Sequence, residues 1–199
     1  MNTPLTLDDI VDQRAYERER EAFRAHVIDL KRRRRVGVGP FVTLVFENRD
    51  TIRFQIQEMA RAEKIITDEG IQTELDIYNP LIPDPGELSA TMFIELTSKE
   101  ALMEWLPKLV GVERSVELLI GDADPDVVRC LVDEAHDAQL TREEITAAVH
   151  YVRFALTPAQ IERFLAEPVV LAVNHPSYTE GAHLGDDAKR TLEADLRGR

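Results

Sequence analysis

The pattern of apolar and polar residues predicts helices that alternate with short strands. In several segments apolar residues recur every three or four positions, which is typical of amphipathic helices. A capping-box sequence at 97–100 predicts the start of one helix, which carries Leu102, Leu106 and Leu109. The other predicted helices span residues 7–34, 50–68, 72–78, 157–165 and 186–196.

Segments in which apolar residues alternate with polar ones predict the strands. Residues 124–148 are compatible with a helix or with a hairpin partner of 115–120, and we predict a strand at 127–132. About a dozen residues separate the last two strands, the minimum for a parallel crossover, so the relative direction of these strands stays open. The predicted strands span residues 41–47, 89–96, 115–120, 149–156 and 169–174, with 36–38 as a possible partner of the first.

Polar residues, glycines and prolines set the predicted helix boundaries. Asp50 is predicted to cap the helix of 50–68, and Gly70 to follow its end. Three prolines in 79–86 predict a fixed loop. The run Arg32–Arg35 is interpreted as a solvated helix end, where cations favour the helix dipole, with contact to phosphate or RNA as the alternative.

Together these elements predict an α+β fold with a mixed, mainly antiparallel sheet and helices packed on one face. The helices of 7–34 and 50–79 are predicted to form an N-terminal helical subdomain against that sheet. No linker of flexible composition interrupts the chain, so a single domain is expected. Its largely helical part spans 7–80 and includes a short strand pair, and its sheet-rich part spans 88–199.

Composition and charge limit the class of protein. The chain has 199 residues, of which 44% are hydrophobic, as in ordinary globular proteins. The net charge is -13, although residues 1–35 alone carry +2. An acidic body disfavours nucleic-acid binding, since phosphates would be repelled, and it suits docking onto a basic partner.

The single cysteine and the N-terminal sequence predict a cytoplasmic protein. Cys130 on its own cannot form an intramolecular disulfide or a four-cysteine zinc site, and its apolar surroundings indicate an inert thiol. The first residues lack the basic and apolar regions of a signal peptide. No segment approaches the roughly 18 uncharged apolar residues that a membrane span needs.

The densest polar patch lies on the helix of 50–68 and the residues that follow it. Gln57 and Glu58 lie four and three residues before Arg61, so each shares a side of the helix with it. Glu74 and Tyr78 share one face of the next helix and are able to meet that side across the turn, and Asn79 follows them. One interpretation is a pocket in which Arg61 binds an anionic ligand that Gln57, Glu58 and Tyr78 position. The other is a polar network that orients the two helices.

Two histidines fall in phase with apolar strand residues. His150 shares a strand face with Val152, and His175 shares one with Val173. Each is interpreted as a hydrogen-bonded core histidine. In parallel strands the two would lie roughly 20 Å apart, too far to share a metal, whereas antiparallel pairing would bring them close.

A series of motifs occurs in a fixed order along the chain: Gly39-Pro40, Gln57-Glu58-Met59, Arg61, Glu63, Tyr78-Asn79, His150, Arg153-Phe154, His175-Pro176 and Tyr178. This ordered series resembles a bacterial family, domain of unknown function 3501. The resemblance extends from the arginine run to Tyr178. Members of that family are typically encoded near rubrerythrin-like proteins and iron–sulfur oxidoreductases, which implies a supporting role in oxidative-stress or iron-linked redox metabolism. The motifs of this series are the recurrent positions of that family.

Two functions therefore compete. The first is a non-catalytic binding or accessory protein, because no complete catalytic constellation is recognised and the acidic body suits docking. Its partner would be a rubrerythrin-like or iron–sulfur redox protein. The alternative is a metal-dependent or anionic-ligand-processing enzyme, for which no particular cofactor or metal is predicted. The candidate ligand-binding residues are Gln57, Glu58, Arg61, Tyr78, Asn79, His150, Arg153 and His175.

Overall fold

The alternating and helical patterns of the sequence fold into two β-sheets with helices around them. The computed structural model describes residues 3–132 and 145–198. Their helices are α1 (Gln13–Arg34), α2 (Arg49–Glu63), α3 (Asp68–Tyr78), α4 (Lys99–Trp105), α5 (Pro158–Ala166) and α6 (Asp186–Leu196). Their strands are β1 (Arg35–Val38), β2 (Val42–Glu47), β3 (Glu87–Ile94), β4 (Val116–Ile120), β5 (Asp126–Arg129), β6 (Leu131–Val132), β7 (Val149–Ala155), β8 (Val169–His175) and β9 (Tyr178–His183).

All strand pairs in the described residues are antiparallel. A five-stranded sheet has the order β1-β2-β3-β7-β6, and a four-stranded sheet has the order β5-β4-β8-β9. The α+β class and its mainly antiparallel pairing are thus confirmed. The parallel crossover that the sequence left open does not form, because β7 and β8 belong to different sheets.

The inner sides of the two sheets share one apolar core. Alternation places Phe46 of β2 on the inner side of one sheet and Val173 of β8 on the inner side of the other, and both are fully buried. Phe164 of α5 and Leu192 of α6 complete the same core. Burial of this apolar surface is the main favourable contribution to the fold, at about 25 cal/mol per Å².

The outer side of the five-stranded sheet is also buried, on the side that faces α1 and α2. Every residue of β2 is buried, including the outward-facing Thr43 and Glu47. The adjacent β3 adds Ser89 and Thr91 to this side. A separate apolar cluster lies among the helices and comprises Leu5, Ile52, Ile56, Leu75, Leu81 and Ile82. The predicted packing of the N-terminal helices on one face of the sheet is confirmed.

Both ends of α2 differ from their predicted positions. The cap is Asn48, whose side chain accepts a hydrogen bond from the Thr51 N–H at 3.0 Å, and not Asp50. Lys64 ends the helix in the left-handed conformation, at φ 57°. Gly70 therefore does not follow the end of α2; it lies in the first turn of α3.

The end of α1 carries a buried ion pair. Arg34 is 1% exposed, and its Nη2 donates to Asp195 Oδ2 of α6 at 2.7 Å. Its Nη1 donates to the carbonyl oxygens of Phe46 and Glu47. Burial raises the pKa of Asp195, and the charge of Arg34 counteracts that rise. The interpretation of Arg32–Arg35 as a solvated helix end is therefore wrong at Arg34.

Tyr178 connects the four-stranded sheet to the β1–β2 turn of the other sheet. Its hydroxyl donates to the Val38 carbonyl oxygen at 2.5 Å and accepts from the Val42 N–H at 3.3 Å. Its ring packs against Phe41, with the ring centroids 4.7 Å apart. Gly39 turns the chain here at φ 70°, and a Cβ at this position would approach the Tyr178 hydroxyl to 2.5 Å.

The segment 124–148 begins with a hairpin. β5 pairs with β4, which confirms the first part of 127–132 as the predicted partner of 115–120. The prediction is wrong for 131–132, which form β6 and pair with β7 at the edge of the five-stranded sheet. Residues 133–144 lie outside the described residues. Among the helices of 3–132 and 145–198, none is long and apolar enough to cross a membrane.

Candidate functional site

The predicted polar patch on α2 faces α1 and the N-terminal segment, which we define as residues 3–12. α1 begins at Gln13 and not at residue 7, because the Asp12 side chain accepts a hydrogen bond from the Ala15 N–H and caps the helix. The chain before this cap runs along α2 and α3, interrupted by a short 3-10 turn at Leu7–Asp9. The N-terminal segment is therefore part of the site.

Two side-chain amides hold the N-terminal segment by its main chain. Gln57 is 2% exposed, and it accepts from the Val11 N–H at 2.9 Å and donates to the carbonyl oxygen of the same residue at 3.2 Å. Asn79 binds Leu5 in the same way, at 2.8 and 2.9 Å. The oxygen and one N–H of each amide are thus occupied by main chain. Gln57 and Asn79 position the N-terminal segment.

Glu58 lies at the centre of an internal network between α1 and α2. Its carboxylate accepts from the Tyr16 hydroxyl at 2.7 Å and from Arg20 Nε and Nη2 at 2.8 and 2.9 Å. The bidentate contact with Arg20 is the main cause that lowers the pKa of Glu58 to about 2, and the Tyr16 hydroxyl lowers it further. Burial, and then the bond to Glu58, raise the pKa of Tyr16. This carboxylate is ionised and fully compensated, so its role is to join the two helices.

A cavity opens between the starts of α1 and α3 and the end of α2, and we call it the interhelical cavity. Its volume is about 350 Å³, which lies in the range of small-molecule sites. Arg14 and Arg61 line its polar side, together with Asp12 and Thr67, which cap α1 and α3. Its apolar wall consists of Ile10, Val11, Ala60, Ile65, Ile66 and Ile71.

The charges around the interhelical cavity are nearly balanced. Arg61 donates through Nε to Glu17 at 2.6 Å, whereas the guanidinium of Arg14 makes no ion pair or hydrogen bond with the rest of the described chain. Each helix start adds roughly half a positive charge. Asp12 and Asp68, at these helix starts, supply opposing negative charge. The cavity can therefore accept one anionic group and does not have the excess of positive charge that a polyanion requires.

Tyr78 and Arg153 do not line the interhelical cavity. Arg153, on the outer side of β7, pairs with Glu87 and donates to the carbonyl oxygen of Pro80. These contacts fix the loop of 79–86 to the sheet. Tyr78 and Tyr151 line a second, smaller cavity against the outer side of the five-stranded sheet.

The two histidines lie in different sheets. His150 is 1% exposed, and its Nε2 lies 2.9 Å from the Ala147 carbonyl oxygen. His175 Nε2 lies 3.1 Å from the Val110 carbonyl oxygen, while its Nδ1 accepts from the Ser177 N–H at 3.2 Å. This pair of contacts fits the tautomer that carries its proton on Nε2. The interpretation of both as hydrogen-bonded core histidines is confirmed.

The described residues contain neither a cluster of metal ligands nor an activated thiol. Within 3–132 and 145–198, no group of three His, Cys, Asp or Glu side chains is placed to hold a metal ion. The thiol of Cys130 donates to the Glu113 carbonyl oxygen at 3.0 Å, and burial raises its pKa to about 11. A thiol with so high a pKa is almost entirely protonated at neutral pH.

Only two of the eight predicted residues, Gln57 and Arg61, share the interhelical cavity. Sequence reasoning missed Arg14 because the first helix was predicted to begin at residue 7, which hid the cap before it. It also missed Glu47, which lines the smaller cavity. The available signal was the position of Glu47 in the sequence. It alternates with the inward-facing residues of its strand and lies just before a helix.

Comparison with known proteins yields a family and a close structural likeness. A family model described as "Protein of unknown function (DUF3501)" matches residues 4–196. A crystal structure at 1.90 Å resolution of a protein of unknown function from Burkholderia pseudomallei K96243 is 38% identical, with a TM-score of 0.87. The likeness covers 98% of this chain and 100% of that one. No curated protein matches the chain.

Proposed function

Because the chain belongs to the DUF3501 family, whose description states no activity, we propose a function from the geometry of the site. The protein is a non-catalytic binding protein for a small amphiphilic anion, a molecule with one acidic group and a short apolar chain. The observation that carries this proposal is the open interhelical cavity, with arginines on one side and aliphatic residues on the other.

The acidic group of the ligand would lie between Arg14 and Arg61. A guanidinium binds a carboxylate through two parallel N–H donors, and Arg14 has both available since no described residue pairs with it. The first-turn N–H groups of α1 lie beside the same space. Asp12 and Asp68 limit the charge that the site tolerates, which favours a monoanion over a phosphate.

The apolar chain of the ligand would lie against the isoleucines. Ile66 is 81% exposed at the rim, although it belongs to the apolar wall of the interhelical cavity. Covering apolar surface contributes about 25 cal/mol per Å². A chain of a few methylene groups therefore adds several kcal/mol before the cost of ordering the ligand.

Isothermal titration calorimetry with hexanoate tests this proposal, with hexanol as the uncharged probe of equal chain length. We expect saturable binding of hexanoate and much weaker binding of hexanol. Arg14→Gln is expected to weaken hexanoate binding about fivefold or more, which corresponds to about 1 kcal/mol. Arg18→Gln, one turn further along α1 and outside the cavity, is the matched control. Equal affinity in both variants, or no binding of hexanoate, would overturn the proposal.

The partner of this binding protein is a second part of the proposal. The family resemblance points to a rubrerythrin-like or iron–sulfur redox protein, and the net charge of -13 supports docking onto a basic surface. A pull-down with a rubrerythrin-like protein that is encoded nearby is expected to succeed at low salt and to weaken as salt is added. Lack of association at low salt would contradict it.

A further inference from the structure

A second cavity lies between the outer side of the five-stranded sheet and the helices, and we call it the sheet-side cavity. Its volume is about 160 Å³, which is large enough for a molecule of a few heavy atoms. β2 and β3 contribute Glu47 and Thr91, α1 contributes Lys31, and Tyr78 and Tyr151 line it as well. None of the residues that form the interhelical cavity takes part in it.

Glu47 is the unusual group of the sheet-side cavity. Its side chain is 6% exposed. One oxygen, Oε1, accepts from the Thr91 hydroxyl at 2.7 Å, while the other, Oε2, is buried and has no hydrogen-bond partner in the described chain. The ammonium of Lys31 is 4.0 Å from Oε2, beyond hydrogen-bonding distance. A carboxylate oxygen that is buried without a donor has lost its hydration with nothing in exchange, so a missing donor is indicated.

Elsewhere the same fold supplies donors to a buried carboxylate. Asp195 is as deeply buried as Glu47, and the guanidinium of Arg34 donates to it at 2.7 Å. Not every buried carboxylate of this interior therefore has an open oxygen. Glu113 Oε2 is also buried without a hydrogen-bond partner in the described chain, but of the two only Glu47 lines the sheet-side cavity.

Aromatic rings complete the sheet-side cavity. Tyr78, Phe93 and Tyr151 line it beside the carboxylate. Aromatic faces attract cations, and the attraction is stronger when the cation is desolvated. Rings and a carboxylate oxygen without a hydrogen bond together form an environment for an organic ammonium ion. Lys31, 4.0 Å from that oxygen, is the resident cation that the ligand must displace.

We propose that the sheet-side cavity binds a small organic ammonium ion that retains at least one N–H. That N–H donates to Glu47 Oε2, and the aromatic rings contact the alkyl groups of the ligand. A quaternary ammonium carries the same charge and fits the rings, but it has no hydrogen to donate. Comparison of the two therefore separates the hydrogen bond to Glu47 from simple attraction between charges.

Titration with ethylammonium and tetramethylammonium at constant ionic strength, followed by calorimetry and by amide NMR shifts, tests the proposal. We expect saturable binding of ethylammonium and at least tenfold weaker binding of tetramethylammonium. Glu47→Gln is expected to weaken ethylammonium binding at least tenfold, and Lys31→Met to leave it unchanged or strengthen it. Equal binding of the two cations, or no saturation because water fills the cavity, would overturn the proposal.

Glu95→Gln is the matched control. Glu95 also accepts from a threonine on the outer side of this sheet, Thr43, at 2.6 Å, but its other oxygen pairs with Arg35 and it does not line the cavity. The Glu95→Gln variant is expected to bind ethylammonium as the unchanged protein does. If Glu47→Gln does not fold, Tyr78→Leu replaces it, with a several-fold loss expected. Arg14→Gln should keep ethylammonium binding, so this result is independent of the interhelical cavity.

Discussion

The two sides of the five-stranded sheet are buried to a similar depth and stabilise the protein in different ways. The inner side presents Phe46 and Phe154, whose exposures are both 0%. The outer side presents Glu47, Ser89 and Thr91, none more than 6% exposed. The inner side gains free energy mainly from apolar area, whereas each polar group of the outer side needs a partner. A buried sheet face is therefore not always a core face.

The partners of the outer side come from the helices and the sheet itself. Thr91 bonds Glu47, and Arg34 at the end of α1 binds the main-chain carbonyls of Phe46 and Glu47. Where a partner is missing, at Glu47 Oε2, a cavity adjoins the sheet. Both proposed binding sites accordingly lie on the helical side of this sheet, and none lies in the apolar core between the sheets.

The largest effect is expected from truncation on the inner side. Phe154→Ala should lower the free energy of unfolding by about 3–5 kcal/mol, because it removes a fully buried ring and leaves a cavity. Ser89→Ala, on the outer side, is the control and should cost less than about 1 kcal/mol. Urea denaturation measures both. Similar losses in the two variants would contradict the contrast between the sides.

The next effect is expected at Arg34, where α1 meets the sheet. Arg34→Met should cost about 3 kcal/mol, because it leaves the Asp195 carboxylate buried without its counter-ion. The double variant with Asp195→Leu should recover much of this loss, since the unpaired charge is then removed as well. If the single and double variants unfold at the same urea concentration, Arg34 does not stabilise the protein by compensating the buried charge of Asp195.

The smallest effect concerns pH and the helices that cover the outer side. The pKa of Glu58 is lowered from 4.5 to about 2 in the folded protein. Its contribution to stability is therefore complete above about pH 4.5 and is lost as the pH falls towards 2. Since the side chain is 27% exposed, we expect a loss of about 1–2 kcal/mol.

Urea denaturation between pH 7 and pH 2.5 measures this loss. The stability of Glu58→Gln should fall less steeply over this interval than that of the unchanged protein, because a neutral amide does not titrate. Glu63→Gln, at an exposed position on the same helix, serves as the control and should follow the unchanged protein. Parallel curves for Glu58→Gln and the unchanged protein would show that Glu58 does not carry the effect.

The strands and their inward residues could be predicted from the sequence, because alternation depends only on the two-residue period of a strand. His150 was placed correctly on the inner side by this rule. The relation of β7 to β8 could not be predicted, since the connection between them is long enough for either topology. Arg34 was misassigned because nothing in a basic run shows which of its members meets a distant carboxylate.

The candidate site was predicted only in part for a similar reason. Helix periodicity correctly placed Gln57 and Arg61 near each other. It could not show that Gln57 and Asn79 bind the main chain of Val11 and Leu5, because that depends on where a segment without regular structure lies. Gln57 and Asn79 were therefore assigned to a ligand, because their partners are distant in the sequence.

The two amide contacts to the main chain have a practical consequence for anyone who handles this protein. Ile10, Val11 and Asp12 line the interhelical cavity, so a shortened chain lacking its first dozen residues would lose one side of that cavity. It would also leave the Gln57 amide without its main-chain partner. Expression vectors should therefore carry purification tags at the other terminus, and a protease nick before Gln13 should be checked by mass spectrometry before any affinity is measured.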